Sequence, residues 1–425
     1  MLSRRNLLAA SALAAAPRLA AAQEAGPPAG VVRVPIEVTR NQLWTAVQLQ
    51  ASGPYRFTID TGAAYFSVQA RLAVEAKLHA AGHRTRLITH VGGGQQDYWD
   101  SYYADTTVIG GALEQKNLVY QAEPGQGGFI QGVVPGAILL TTPTVIDFAD
   151  RAIDLYMKGK PDTSGYDRLT MTPIEAANLE IIRQLDGSQS ALVIDVEWNG
   201  APLKVQVRTA ASPGLFLYAH AVDRLQAWDA YPKWAAENGR WGLSTTYWNK
   251  LVHLPFKARA VRAGPLIIGP AVIADPVVVM VDPTEVDHVD DGQRKPVWQV
   301  GNRRLEVDGY IGMETLRRFS LIVDADQRAL WMKPNAAIRQ PFRYNRSGLR
   351  FKAVEGEITV TGVAPHSPAE TAGVQAGDVV LARDGTRPPD NFGWDLSDGP
   401  GTVMEFDVQR GGARQPIRMV LREMI

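Results

Sequence analysis

The chain has 425 residues and carries 44 Lys and Arg against 44 Asp and Glu, so its formal charge is zero and no broad basic surface for nucleic acid is expected. With 45% hydrophobic and 21% charged residues it has the composition of a globular protein of roughly two to four domains, which excludes a disordered chain and a multispanning membrane protein. It has no cysteine, which excludes disulfides, thiol nucleophiles and thiolate metal sites.

Residues 1–22 have the pattern of an export signal. Arg4 and Arg5 precede an apolar stretch, and three alanines at 20–22 form a cleavage site. The paired arginines after a serine resemble a twin-arginine signal of bacteria. We therefore predict an exported, periplasmic protein with no integral membrane span after signal removal. Ordinary secretion and an uncleaved signal anchor remain open alternatives.

Short apolar runs separated by Gly, Pro and Asn dominate the body of the chain. They predict strands at residues 31–38, 44–50, 55–59, 65–68, 86–90, 98–108 and 145–156. One run with helical spacing of its apolar positions follows at residues 69–78. The sequence therefore predicts a mostly β protein in which helices are a minority.

Two parts of the chain repeat each other. Residues 54–63 align with residues 202–211, and in each case a strand and a tight turn precede the block. Later, the strand that begins at Gly132 matches the strand that begins at Gly309. The repeat predicts two related lobes, residues 31–160 and residues 165–336.

An ordered series of turn and helix signals fills the last 80 or so residues. Its segments are Gly348-Leu349-Arg350-Phe351, Ser367-Pro368-Ala369, Ala372-Gly373-Val374 and Gly377-Asp378. The series resembles a bacterial PDZ domain over residues 345–425, after a linker at residues 341–347. The resemblance implies that protein C-termini bind as an added strand at Gly348, Leu349, Arg350 and Phe351. A domain that only packs against the lobes is the alternative.

The strongest motif is Asp60-Thr61-Gly62, which lies between two apolar strands. A strand delivers the aspartate into a tight turn, where Gly62 lets backbone N–H groups approach the carboxylate. The motif resembles the active-site loop of retropepsin-like and pepsin-like aspartic peptidases. That resemblance implies a bilobed double β-barrel, Asp60 as a catalytic residue, and two facing carboxylates that share one proton.

The second copy of this loop reads Arg208-Thr209-Ala210. A guanidinium stays charged and cannot share a proton with Asp60. At about 4 Å and an effective dielectric constant near 20, the attraction between such charges is on the order of 4 kcal/mol. We predict a salt bridge between the lobes in place of a catalytic dyad. In the peptidase family, threonines placed like Thr61 and Thr209 hydrogen-bond across the pseudo-twofold axis.

A glycine-rich segment lies where the same family has a mobile flap over its cleft. Gly92, Gly93 and Gly94 would give the hairpin tip its freedom, and Tyr98 and Trp99 could cover a peptide. An exposed hairpin tip without a binding role is the alternative.

These observations leave two hypotheses for function. The first is an aspartic-type endopeptidase that acts on peptides or unfolded proteins in the cell envelope with Asp60 as its retained aspartate, which Asp60 of a second chain could complete. The alternative is a catalytically inactive peptide-binding scaffold whose PDZ domain recognises C-termini. No cofactor and no metal are expected, since the seven histidines include no His-Glu-x-x-His motif.

Overall fold

The computed structural model describes residues 27–39, 41–63, 65–88, 96–123, 130–174, 191–231, 258–284, 297–300, 303–354, 357–387 and 396–425. The predicted signal at residues 1–22 and the glycines Gly92, Gly93 and Gly94 lie outside these residues. Within them, strands far outnumber helices, so the predicted mostly β class is confirmed.

The described residues of the first repeat form eleven strands and one short α-helix. In chain order they are β1 (Val31–Pro35), β2 (Glu37–Thr39), β3 (Gln42–Leu49), β4 (Ser52–Asp60), β5 (Phe66–Gln69), α1 (Ala70–Glu75), β6 (His79–Ile88), β7 (Gln96–Ile109), β8 (Leu113–Glu123), β9 (Gly132–Pro135), β10 (Thr144–Asp147) and β11 (Ala152–Tyr156). The order of the main sheet is β2-β3-β4-β9-β5-β8-β7-β6, and β3 also pairs with β7. This additional pairing closes the sheet into a barrel.

The second repeat follows the same course with extra strands. Its elements are β12 (Asp167–Ile174), β13 (Ala191–Trp198), β14 (Ala201–Val207), β15 (Leu215–Leu217), α2 (Ala219–Arg224), β16 (Ala258–Arg262), β17 (Leu266–Ile268), β18 (Ala271–Ile273), β19 (Val277–Val281), β20 (Val297–Val300), β21 (Arg303–Glu306), β22 (Gly309–Ile311), α3 (Met313–Leu316), β23 (Phe319–Asp324) and β24 (Ala329–Pro334). Most of its strands continue one sheet in the order β12-β13-β14-β22-β15-β19-β16.

The register of the strands shows that the two halves correspond. In the first half β4 runs parallel to β9 with Phe57 beside Gly132, and in the second β14 runs parallel to β22 with Val205 beside Gly309. Counting three residues on from each pair, Asp60 corresponds to Arg208. Both glycines are needed, because a Cβ on Gly309 would lie 1.8 Å from a backbone oxygen and a Cβ on Gly132 would lie 2.4 Å from one.

A shared sheet joins the two halves. Its strands follow the order β1-β11-β10-β23-β24-β12, three from each half, and the antiparallel pair β10 and β23 lies at its centre. Each half turns between its last two strands on an arginine with positive φ, Arg151 at 53° and Arg328 at 48°. Apolar side chains of both halves form one continuous core. The two halves are therefore related in structure, and the bounds predicted for them, residues 31–160 and 165–336, stay a prediction.

The C-terminal domain is a separate five-stranded sheet with its own core. Its elements are β25 (Leu349–Val354), β26 (Glu357–Val363), α4 (Pro368–Thr371), β27 (Val379–Arg383), β28 (Val403–Arg410) and β29 (Ala413–Val420), in the sheet order β25-β26-β27-β28-β29. Ser367 caps α4 by accepting a hydrogen bond from the Glu370 amide, and Pro368 occupies the first helical turn. In β28, buried Met404, Phe406 and Val408 alternate with outward-facing residues.

One expectation about local structure is corrected. The helix predicted at residues 69–78 ends at Glu75, because the chain turns and enters β6 at His79. The linker predicted at residues 341–347 is largely buried, with Phe342, Tyr344 and Arg346 among its buried residues. No helix among the described residues is long and apolar enough to cross a membrane.

Candidate functional site

Asp60 is the last residue of β4 and lies at the junction between the lobes. Its side chain is 10% exposed. Its Oδ1 accepts a hydrogen bond from the Gly62 amide at 2.8 Å, and its backbone oxygen accepts one from the Ala63 amide at 3.1 Å. The tight turn that the sequence predicted therefore directs backbone donors at this residue.

Arg208 follows β14 and meets Asp60 across the lobe interface. Its Nη2 lies 3.1 Å from Asp60 Oδ2, and its side chain is 20% exposed. Burial lowers the pKa of Arg208, but the Asp60 carboxylate outweighs burial and the net pKa is raised above its ordinary value. A Cβ on Gly62 would lie 2.4 Å from Arg208 Nε, so glycine at position 62 leaves the space that the guanidinium occupies.

Thr61 and Thr209 connect the two loops through a reciprocal set of buried hydrogen bonds. Each threonine Oγ1 accepts from the backbone N–H of the other at 3.1 Å. In addition, Thr61 Oγ1 donates to the Val207 oxygen at 2.5 Å and Thr209 Oγ1 donates to the Ile59 oxygen at 2.6 Å. Four hydrogen bonds with matched partners therefore hold the loops in register. The loop that faces Asp60 is thus supplied by the second lobe of the same chain.

Ala210 contacts the first lobe through its backbone. Its oxygen accepts a hydrogen bond from Gln42 Nε2 at 3.4 Å. Gln42 is fully buried and joins the start of β3 to the second loop. The sequence did not predict this contact, because Gln42 looks there like any single polar residue of a strand.

Aromatic residues that the sequence did not single out pack around Arg208. The Tyr310 ring centroid lies 5.5 Å from the Arg208 guanidinium carbon, and Phe216 stacks on Tyr310 at 4.6 Å. Tyr218 packs edge-on against both rings. Burial raises the pKa of both Tyr218 and Tyr310, although the Arg208 charge acts in the opposite direction. Both phenols are therefore neutral near pH 7. Only Tyr310 had a signal in the sequence, which is its position next to Gly309.

A second pair of corresponding residues lies next to this site. Gln131 Oε1 accepts a hydrogen bond from the Arg56 amide at 2.6 Å, and Asp308 Oδ2 accepts one from the corresponding Lys204 amide at 2.8 Å. Burial raises the pKa of Asp308, but hydrogen bonds from a histidine, this amide and an arginine outweigh burial and lower it to about 2. The second lobe thus carries an ionised group where the first carries a neutral amide.

The predicted flap lies partly outside the described residues. Its strands β6 and β7 pair in antiparallel register from His79 with Tyr103 to Ile88 with Gln96, so they form the two arms of a hairpin. Tyr98 and Trp99 lie on β7, with Trp99 half-buried. Their role over a cleft remains a prediction.

The predicted peptide-binding residues of the C-terminal domain lie at the start of β25, an edge strand of its sheet. Leu349 and Phe351 point into the core of that domain, Arg350 is half-buried, and Gly348 packs on Ser367. The Leu349 amide already donates to Ser347 Oγ at 3.0 Å. β25 lies at the edge of the described sheet, which is compatible with strand addition, but the Leu349 amide has an internal partner.

The chemistry available at the junction follows from these contacts. Asp60 and Arg208 form a neutral ion pair in which the acid has no proton-sharing partner from the opposite loop. The described residues contain no group of three or more His, Asp or Glu side chains placed to hold a metal ion. The arrangement can hold the lobes together, but it supplies no general acid to the position opposite Asp60.

Comparisons with known proteins agree with parts of this description. Residues 359–396 match the PDZ domain family. No curated protein matches the chain. Among 448 matching chains of solved structures is the aspartic proteinase from Irpex lacteus, at 11% identity and a TM-score of 0.44, covering 73% of this chain and 99% of that one. The C-terminal domain is therefore a PDZ domain, as predicted, and it follows two related β lobes.

Proposed function

We propose that this protein is a non-catalytic peptide-binding protein of the bacterial cell envelope, built on an aspartic-peptidase-like scaffold with a PDZ domain. The observation that carries the proposal is the ion pair between Asp60 and Arg208, 3.1 Å apart at the junction of the lobes. This pair takes the place of two carboxylates that share a proton.

The ion pair is unsuited to peptide hydrolysis by that mechanism. Aspartic peptidases need one ionised carboxylate to take a proton from water and one protonated carboxyl to donate to the scissile carbonyl. Arg208 keeps its proton at every usable pH, so it cannot act as the second acid. Asp60 therefore has a hydrogen-bonded partner but no second acid, so the geometry favours binding over cleavage.

Peptide is the ligand class for two reasons. The first is the resemblance of the Asp60 loop to that of peptidases, and the second is the PDZ domain, whose edge strand β25 has no neighbour on one side among the described strands. The twin-arginine-like signal at residues 1–22 supports the proposed location in the periplasm. The PDZ domain is proposed to recognise apolar C-termini.

One experiment separates binding from cleavage. The full chain is incubated with fluorescein-labelled, unfolded casein from pH 3 to pH 8, with and without pepstatin, and both fluorescence anisotropy and gel bands are followed. We expect a rise in anisotropy and intact casein at every pH. The Asp60→Asn variant should likewise leave casein intact, because wild type has no cleavage to lose.

Two results would contradict the proposal. Pepstatin-sensitive cleavage by wild type that is lost in Asp60→Asn would establish the peptidase hypothesis instead. Intact casein without any rise in anisotropy at micromolar protein would remove peptide binding as the function. A chain with Asp105→Asn is the matched control, since it loses an exposed carboxylate of the first lobe that pairs with His79.

A further inference from the structure

The segment of residues 341–347, here called the strap, joins the second lobe to the PDZ domain and is buried along most of its length. Phe342, Tyr344 and Ser347 are each no more than 3% exposed. A connector between independent domains is ordinarily exposed and polar. The burial of the strap therefore indicates that the PDZ domain is fixed to the second lobe.

The second lobe holds the strap through a buried arginine and a buried glutamate. Arg318 is fully buried, and its Nη1 donates to the Gln340 oxygen at 2.6 Å while its guanidinium carbon lies 4.0 Å from the Phe342 ring centroid. Glu314 Oε2 accepts from the Arg343 amide at 2.8 Å. Because such buried charges are costly to leave unpaired, these contacts tie the strap closely to α3 and the turn that follows it.

The PDZ domain holds the other end of the strap through Glu423. This carboxylate accepts from Tyr344 Oη at 2.8 Å and Arg346 Nε at 3.1 Å, and it also pairs with Arg262 of the second lobe. Arg346 Nη1 donates in addition to the Ser397 oxygen at 3.1 Å. Glu423 therefore links strap, lobe and PDZ domain in one set of contacts.

Phe342 also reaches the loop that carries Arg208. A Cβ on Gly214 would lie 2.3 Å from Phe342 Cε1, so the ring packs directly on the backbone of this glycine. On the other side, the Gly214 oxygen accepts from Thr315 Oγ1 at 2.9 Å, and the Ala211 oxygen accepts from the Met313 amide at 2.7 Å. The loop of residues 208–214 is thus held between the strap and α3.

A cavity of 610 Å³ lies beside the strap, between the PDZ domain and the second lobe. Its lining includes Phe342, Arg346 and Glu423, which are the residues that carry the contacts described above. An open groove therefore lies directly beside the residues that hold the strap.

We propose that the strap couples the PDZ domain to the ion pair between the lobes. Movement of the PDZ domain would shift Phe342 away from Gly214, loosen the loop of residues 208–214 and alter the contact between Arg208 and Asp60. Because such coupling is reciprocal, a ligand bound at the ion pair would change the affinity of the PDZ domain by the same factor. The coupling is independent of whether the protein cleaves or only binds peptide.

Hydrogen exchange followed by mass spectrometry tests the coupling without any ligand. The full chain is compared with Phe342→Ala, which removes the contact to Gly214, and with Glu423→Gln, which weakens the hold on the PDZ domain without touching the loop. In both variants we expect exchange in residues 206–217 to rise by about tenfold, because the amides of Arg208 and Ala211 are hydrogen-bonded there. Exchange in β24 should not change.

The controls separate coupling from general destabilisation. Phe342→Leu keeps an apolar contact and should restore exchange most of the way to the wild-type rate. Asp407→Asn removes a PDZ carboxylate that pairs with Arg414 far from the strap, and it should leave residues 206–217 unchanged. Wild-type exchange of residues 206–217 in both Phe342→Ala and Glu423→Gln would overturn the proposal, as would an equal rise throughout the lobe.

Discussion

The loop at Asp60 and the loop at Arg208 occupy corresponding positions in the two lobes but carry opposite charges. Their threonines exchange equivalent hydrogen bonds, and their strands have the same register against the glycine strands β9 and β22. What differs is the residue before each threonine, an acid in one loop and a guanidinium in the other. The comparison shows that the hydrogen bonds that hold the lobes together do not depend on a pair of acids.

Arg208→Asp gives the two loops the same charge and should have the largest effect. At neutral pH, two facing carboxylates replace an ion pair, and we expect a loss of stability of about 4 kcal/mol. Repulsion raises the pKa of one carboxyl in the folded state, so this penalty disappears as the pH falls through that pKa. The variant should therefore gain stability from pH 7 to pH 5 in urea denaturation.

The control for this variant is Arg84→Asp, which faces Asp100 in an exposed ion pair. Because water screens exposed charges, it should lose less than about 1 kcal/mol. Equal losses of stability in Arg208→Asp and Arg84→Asp would mean that water screens the Asp60–Arg208 pair as strongly as the exposed pair.

Thr209→Val tests the feature that the loops share. The change removes two hydrogen bonds and leaves the Thr61 amide and the Ile59 oxygen buried without those partners. We expect a loss of about 3 kcal/mol in the free energy of unfolding. Thr141→Val, at an exposed threonine that donates to the Ile138 oxygen, is the matched control and should change stability by less than about 0.5 kcal/mol. A loss no larger than that of the control would show that the lobes are held together elsewhere.

Asp308→Asn makes the second lobe resemble the first, where Gln131 makes the equivalent contact. Hydrogen bonds lower the pKa of Asp308 to about 2 in the folded chain, below its ordinary 3.8. A depressed pKa adds stability that is present above pH 3.8 and is lost as the pH falls through 2. The variant should be less stable by about 1 kcal/mol at pH 6, after screening, and the difference should vanish near pH 2. A stability difference between variant and wild type that does not change with pH would contradict the lowered pKa of Asp308.

The sequence contained most of what is needed for the comparison of the two loops. The repeat of residues 54–63 at residues 202–211 predicted that Arg208 would face Asp60, because it aligns the residues directly before the two threonines. Tyr218 and Phe216 could not be found in this way, since the corresponding first-lobe positions hold different residue types. Contacts between aromatic rings depend on the packing of distant strands and leave no periodic signal.

The strap illustrates the other limit of prediction from sequence. Residues 341–347 contain proline, arginine, asparagine and serine, a composition typical of an exposed connector. Their burial depends on Glu314 in α3 and on Arg318 just after it, which contact the strap only in the folded chain. A polar segment whose partners are buried charges elsewhere cannot be recognised from its own residues.

A double-mutant cycle on Asp60 and Arg208 tests the central claim most directly. The free energy of unfolding is measured for wild type, Asp60→Asn, Arg208→Met and the double variant at pH 7. For a pair that is largely buried at 3.1 Å, we predict a coupling energy of about 2 kcal/mol. A coupling energy below about 0.3 kcal/mol would mean that the two side chains do not form an ion pair in solution, and the proposed replacement of the acid pair would be wrong.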